Sequence, residues 1–199
     1  MEPAEVEAIF RESGALTDGH FTLSSGAHSP RYLEKFQVLQ WPARTERLCA
    51  AIAAAVRPLG VRTVAGPTTG GIILAHEVAR QMGLRAVYAE RADDGRGRVF
   101  RRGFHLEREE AVLVVDDILT TGGSVKETIE AVRAEGARVT GAAVLVDRSG
   151  SESRLGDVPL VALWRLAIPS HAPESCPQCA AGVPLTKPGT TPARRPGHE

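Results

Sequence analysis

Apolar positions follow two patterns along the chain. Between Val61 and Leu166 several come as short unbroken runs: VRTVAG (61–66), LRAVYAE (84–90), AVLVVDD (111–117), ARVTGAAVLVDRS (137–149) and VPLVALWRL (158–166). Others recur at helical spacing, in PARTERLCAAIAAAVRP (42–58), GGIILAHEVARQMG (70–83) and GSVKETIEAVRAEG (123–136). Proline opens the first of these helices and glycine closes the other two, as start and stop signals require. Unbroken rather than alternating apolar strands are buried on both faces. Strands alternating with helices therefore predict an α/β fold, with a central, mostly parallel sheet flanked by helices.

The ends of the chain are less regular. Residues 3–13 predict a short amphipathic helix. FTLSSGAHSPRYLEKFQVL (21–39) reads as strands and turns, because Gly, Ser and Pro break its apolar pieces. Residues 91–109 predict a long charged loop, or a hairpin around RVFRRGF. The tail from Pro169 is rich in Pro, Gly and Thr and is expected to be irregular, with disorder over the last ten residues. Three segments within one structural domain follow: 1–40, a core over 41–168 and a tail over 169–199.

Composition removes several function classes. Lys plus Arg and Asp plus Glu both number 24, so the 199-residue chain carries no net field for nucleic acid or a membrane surface. An anionic partner must be met locally. Only Lys35, Lys126 and Lys187 are lysines; the other basic residues are arginine. The acidic start MEPAEVEAIF lacks an apolar signal core, and no run approaches the ~18 apolar residues of a membrane helix. A soluble, cytoplasmic protein is expected.

The stretch AVLVVDDILTTGGSV (111–125) carries the chemistry. In a parallel sheet the ligand crevice lies beyond the carboxyl ends of the strands. A buried strand would carry Asp116 and Asp117 to that edge. Ile118 and Leu119 follow, and then Thr120, Thr121, Gly122, Gly123 and Ser124 form a turn into a helix beginning near Ser124. Free N–H groups at a helix N-terminus and its dipole suit a phosphate. The glycines permit positive φ and close approach, and the hydroxyls add donors. The aspartates cannot bind that phosphate; they need hydroxyl donors or a cation. A ribose 5-phosphate supplies both, a phosphate at one end and a vicinal diol at the other. Mg2+ held by the carboxylates through water is compatible with this. The bland alternative is a strand end followed by an ordinary helix start. No GK[ST] is present, so a nucleotide triphosphatase is a poor reading.

The string VLVVDDILTTGGS resembles the phosphoribosyl diphosphate (PRPP) motif of the type I phosphoribosyltransferase family. FTLSSGAHSPRY (21–32) is similar to the N-terminal segment of its orotate-using members, and GPTTGGIILAHEVA (66–79) to their diphosphate loop and following helix. FRRGF (100–104) and CPQCAAGVPLTKPG (176–189) look like one bacterial or archaeal branch. The resemblance implies the family fold with a small N-terminal hood, PRPP and orotate as substrates, Mg2+ held chiefly by substrate, and a homodimer. It also implies roles. Thr68, Thr69 and Gly70 would face the leaving diphosphate. A mobile loop over about 91–105 would close over it with Arg91, Arg101, Arg102 and His105, Arg101 and Arg102 acting in catalysis beside Asp116 and Asp117. Ser25, Gly26, Tyr32, Leu33, Thr120 and Arg148 would contact orotate. Lysines usual in the family are missing from both loops and before the SG of the hood, where Ser24 stands; Lys35 is the candidate replacement. The readings in competition are a phosphoribosyltransferase for a purine or uracil, and a PRPP-sensing regulator.

CPQC (176–179) has the spacing of half a zinc site. Cys49 is distant and His171 is the only histidine near it in sequence, so ordinary thiols in a docked tail are expected.

Overall fold

The computed structural model describes residues 1–150 and 155–188. The expectation of disorder over the last ten residues lies outside this range. In chain order the elements are α1 (Pro3–Glu12), β1 (Leu16–Thr22), β2 (His28–Leu33), α2 (Phe36–Leu39), α3 (Pro42–Val56), β3 (Thr63–Pro67), α4 (Gly70–Met82), β4 (Arg85–Arg91), β5 (Arg98–Phe100), β6 (Ala111–Leu119), α5 (Gly123–Ala134), β7 (Arg138–Asp147), β8 (Leu160–Arg165) and α6 (Pro177–Ala180), with 3-10 turns at Arg57–Leu59 and Pro173–Ser175. No helix among the described residues is long and apolar enough to cross a membrane. The chain divides into two units. One comprises Met1–Ala15 and Glu34–Ala167; the other comprises Leu16–Leu33 and the residues from Ile168 onward.

The larger unit is a six-stranded sheet in the order β5-β4-β3-β6-β7-β8. All neighbours run parallel except β4 and β5. From β3 the chain moves outward through β4 to β5; from β6 it moves the other way through β7 to β8. Strand order therefore reverses between β3 and β6, and the crevice of an open α/β sheet falls at such a switch point. Right-handed crossovers of opposite direction place α4 and α5 on opposite faces. Under α5, Val125, Ile129 and Val132 pack with Ala65, Val87, Val112, Val114, Ala142 and Val144. The alternate residues Leu113, Val115 and Leu145 are also fully buried and face the other layer. A strand buried on both faces cannot alternate in polarity, which is why β6 reads as an unbroken apolar run.

Local signals explain the boundaries. Glu2 and Glu5 form a reciprocal capping box before α1, whose Phe10 meets the Trp164 ring edge-on at 5.9 Å. Proline opens α3, and Gly83, at φ 67°, closes α4. The 91–109 segment forms a hairpin, but its turn is ADDGRG rather than RVFRRGF. Arg91 pairs with Arg98, and Gly95 and Gly97 take the positive φ that the turn requires.

The smaller unit is the β1–β2 hairpin with the chain from Ile168. Residues 23–27 turn the hairpin, with Leu23 N–H donating to the Ala27 carbonyl. The later segment attaches by backbone bonds between His28 and His171 and between Thr22 and Thr186. The Gln178 side chain donates to Gly19 O at 2.9 Å.

Candidate functional site

The switch point brings together the ends of β3 and β6, the start of α5 and the side chain of Lys35. Asp116 and Asp117, at the carboxyl end of β6, are both buried. Asp116 Oδ2 accepts the Ser124 hydroxyl at 2.6 Å, and its Oδ1 accepts the Asp117 N–H at 2.9 Å. Asp117 Oδ1 accepts the Ile118 N–H at 2.7 Å, while its Oδ2 lies 3.1 Å from Lys35 Nζ. Burial raises the pKa of both carboxyls, against the pull of Ser124 and the Asp117 N–H on Asp116 and of Lys35 on Asp117. The charge on Asp116 pushes Asp117 higher still. Two close, buried carboxylates sharing one lysine are short of positive charge and of hydroxyl donors.

After Leu119 the chain leaves the sheet. Thr120 and Thr121 are exposed, and Gly122 takes φ 78° at the N-cap of α5, with no side chain capping the helix. The first N–H groups of α5 therefore lack intrahelical partners. The helix begins at Gly123, the first residue of the helical run 123–136 read from the sequence. The Ser124 hydroxyl donates to Asp116, so what Ser124 can offer an anion is its backbone N–H.

The β3–α4 turn is packed backbone against backbone. A Cβ on Gly66 would strike Gly71, 2.5 Å from its carbonyl carbon; one on Gly71 would lie 3.1 Å from the Gly66 carbonyl carbon; one on Gly70 would run into Asp117 Oδ2. Three glycines thus let the start of α4 sit against the acidic pair. Thr69, the N-cap of α4, makes no side-chain cap.

The basic residues of 91–105 separate by position. Arg101 pairs with Asp93 at 2.8 Å and Arg102 with Glu90 at 3.0 Å, both on the surface. His105 Nδ1 lies 3.3 Å from Gly103 O, and Arg91 is exposed at the end of β4. Arg98, absent from the sequence candidates, is buried. Its Nη1 donates to Thr68 Oγ1 at 3.1 Å and to Ala89 O at 3.2 Å, and its Nε lies 3.3 Å from Glu127 Oε2 on α5. Desolvation lowers its pKa. The missed signal was strand alternation: Arg98 shares the inward face with Phe100, two residues on.

Arg148 follows β7, its N–H donating to Leu119 O at 2.7 Å. Its Nε is buried without a hydrogen-bond partner among the described residues, and burial lowers its pKa. A half-buried guanidinium with a buried open donor suits an anionic or carbonyl-bearing ligand. Ser25, Gly26, Tyr32 and Leu33 belong to the smaller unit. Ser25 and Gly26 form the hairpin turn, Gly26 at φ 83°. Tyr32 pairs with Thr17 and Leu33 with Leu16. Lys35 belongs to the larger unit.

Residues 37–160 match the model of the phosphoribosyl transferase domain. The orotate phosphoribosyltransferase of Pelotomaculum thermopropionicum is 49% identical over 96% of this chain and 98% of its own length. Among solved structures, orotate phosphoribosyltransferase from Aeropyrum pernix is similar at TM-score 0.62 and 28% identity, over 80% of this chain and 93% of that one. Adenine phosphoribosyltransferase from Thermoanaerobacter pseudethanolicus reaches TM-score 0.60 at 17% identity, over 68% of this chain and 88% of that one. The last likeness is of fold alone and says nothing of the base.

Proposed function

The chain belongs to the phosphoribosyl transferase family, and on that premise we propose that it transfers the 5-phosphoribosyl group of PRPP to N1 of orotate, giving orotidine 5′-monophosphate and diphosphate. The observation that carries this reading is the buried Asp116–Asp117 pair beside the uncapped start of α5. The near full-length identity to orotate phosphoribosyltransferases supports the choice of base.

The 5-phosphate takes the N–H groups of Thr121 to Ser124, with Thr120 and Thr121 adding hydroxyls. The ribose diol donates to Asp116 and Asp117, filling the carboxylate lone pairs that, among the described residues, Lys35, Ser124 and two backbone N–H groups serve. As diphosphate leaves, C1 gains positive charge, and two carboxylates beneath the sugar stabilise it. Thr68, Thr69, Gly70 and Arg98 face the departing diphosphate. Arg91, Arg101, Arg102 and His105 cover it when the β4–β5 hairpin closes and excludes water. Arg148, with its buried open Nε donor, holds orotate. The buried oxygens of Asp116 and Asp117 fit Mg2+ and would hold it through water, where it would supply positive charge toward the diphosphate. A homodimer is supported by a mostly apolar groove lined by Leu39, Pro42, Ile72 and Ile73 with Thr45, His76 and Glu77, and by the half-exposed Trp41 next to Pro42 in sequence. A monomer by light scattering at assay concentration would contradict it.

Purified chain with Mg2+ and PRPP is expected to consume orotate and release diphosphate, with uracil and adenine at least ~100-fold poorer. Equal turnover of another base would overturn the assignment. Arg98→Met should raise the KM for PRPP by about tenfold, worth ~1.4 kcal/mol, and leave the KM for orotate little changed. An unaltered KM for PRPP would remove Arg98 from the site.

A further inference from the structure

Four side chains that could ligate a metal meet in the smaller unit, apart from the acidic pair. His20 lies on β1, His28 opens β2, Cys176 is the N-cap of the single turn α6 and Cys179 lies within it. Their ligand atoms all lie within 4.8 Å of one another. We propose that His20, His28, Cys176 and Cys179 bind a Zn2+ ion that ties the β1–β2 hairpin to the C-terminal segment.

Four of the six separations are close to the edges of a tetrahedron, and the other two are within 4.8 Å. With Zn–N near 2.05 Å and Zn–S near 2.3 Å, tetrahedral edges are about 3.3 Å for N···N and about 3.6 Å for N···S. His20 Nε2 lies 3.2 Å from His28 Nδ1. Cys176 Sγ and Cys179 Sγ lie 3.4 Å and 3.7 Å from His20 Nε2, and Cys179 Sγ lies 3.2 Å from His28 Nδ1.

Hydrogen bonding alone does not account for this convergence. His20 Nδ1 is 2.9 Å from the Val183 carbonyl, which can only accept. Nδ1 therefore carries the ring proton, and Nε2 presents one bare lone pair to the cluster. Three polar atoms crowd onto that lone pair, which can accept only one hydrogen. A cation at the common centre satisfies all four ligand atoms. The Nδ1–H···O=C bond is the outer contact that orients a metal-bound histidine. Two nitrogens and two sulfurs at tetrahedral spacing select zinc among common biological cations. Four protein ligands leave no open position, so the ion is structural rather than catalytic.

The unit has little else to hold it. Its described buried residues are Leu16, His20, His28, Ser29, Leu33 and Cys176. Three of these six are the proposed ligands, so its interior is the cluster rather than an apolar core. A lone two-stranded hairpin is marginal in water, and a metal cross-link is a common remedy in small units. Binding ionises both thiols, whose two protons pass to solvent. Affinity should therefore weaken as pH falls.

The test uses the full chain, expressed with zinc and purified under a thiol reductant. Elemental analysis should give about one zinc per chain, falling below a tenth of that in Cys176→Ser/Cys179→Ser, while Cys49→Ala keeps it. That variant could fail to fold, so the wild-type chain supplies a second measurement. Replacing zinc by Co2+ should produce thiolate-to-cobalt charge-transfer bands and the intense visible bands of tetrahedral coordination. Cys176 and Cys179 should resist alkylation until a chelator is added, and the melting temperature should drop with it. Two results would overturn the proposal: a reduced chain that takes up neither Zn2+ nor Co2+ on titration, or full zinc content in the double serine variant.

Discussion

The double variant Asp116→Asn/Asp117→Asn is expected to lose phosphoribosyl transfer by about 10^3-fold, while its ligand-free form becomes more stable than the wild type at neutral pH. The loss follows from removing two charge-assisted acceptors of the ribose hydroxyls, each worth ~1.5–3 kcal/mol. The gain follows from the pKa directions. Both carboxyls have folded values raised above their unfolded ones, chiefly by burial. Their contribution favours folding below an unfolded pKa of about 4 and is lost as pH rises through the folded values. At pH 7.5 the ionised pair opposes folding, and asparagines lift that cost by roughly 1–2 kcal/mol. Thermal melts should show the variant ahead at pH 7.5 and the difference gone near pH 4. Equal melting temperatures at neutral pH would mean that the pair is better compensated than its contacts indicate.

The second large effect concerns the scaffold under the diphosphate loop. Gly66→Ala should destabilise the fold by about 3 kcal/mol or more, seen as a lower urea midpoint and poor soluble yield. The three atoms nearest its Cβ are all backbone of Gly71, so the clash cannot be relieved by a side chain swinging aside. Gly70→Ala should behave differently. Its Cβ would meet a side-chain oxygen, Asp117 Oδ2, which can turn away; the chain should fold but bind PRPP poorly. Indistinguishable behaviour of the two variants would contradict this division between scaffold and site.

How far the sequence reveals the site depends on how locally each part is encoded. The β6–α5 segment was legible because strand, acidic pair, glycine turn and helix are contiguous, and each residue type has one physical use there. The α3, α4 and α5 boundaries were legible from terminal proline and glycine. Arg98 was not, because its inward aim depends on which residues of 91–105 pair with β4, and the turn falls at ADDGRG rather than farther on. Ser124 falls in the first turn of α5, and its hydroxyl serves Asp116, a contact that spacing does not encode. The histidine half of the proposed zinc site was hidden by distance along the chain. His20 and His28 become neighbours only once Thr22 pairs with His28; positions 20 and 22 then share a face, and β1 is irregular between Asp18 and Phe21. A His-x7-His spacing across a hairpin turn was the available signal.

A crystal structure with PRPP and Mg2+ bound tests the central claim most directly. The ribose diol should lie within hydrogen-bonding distance of the Asp116 and Asp117 carboxylates, with the 5-phosphate on the N–H groups of residues 121–124. A pentose bound away from that pair, with the phosphate elsewhere than the start of α5, would contradict it.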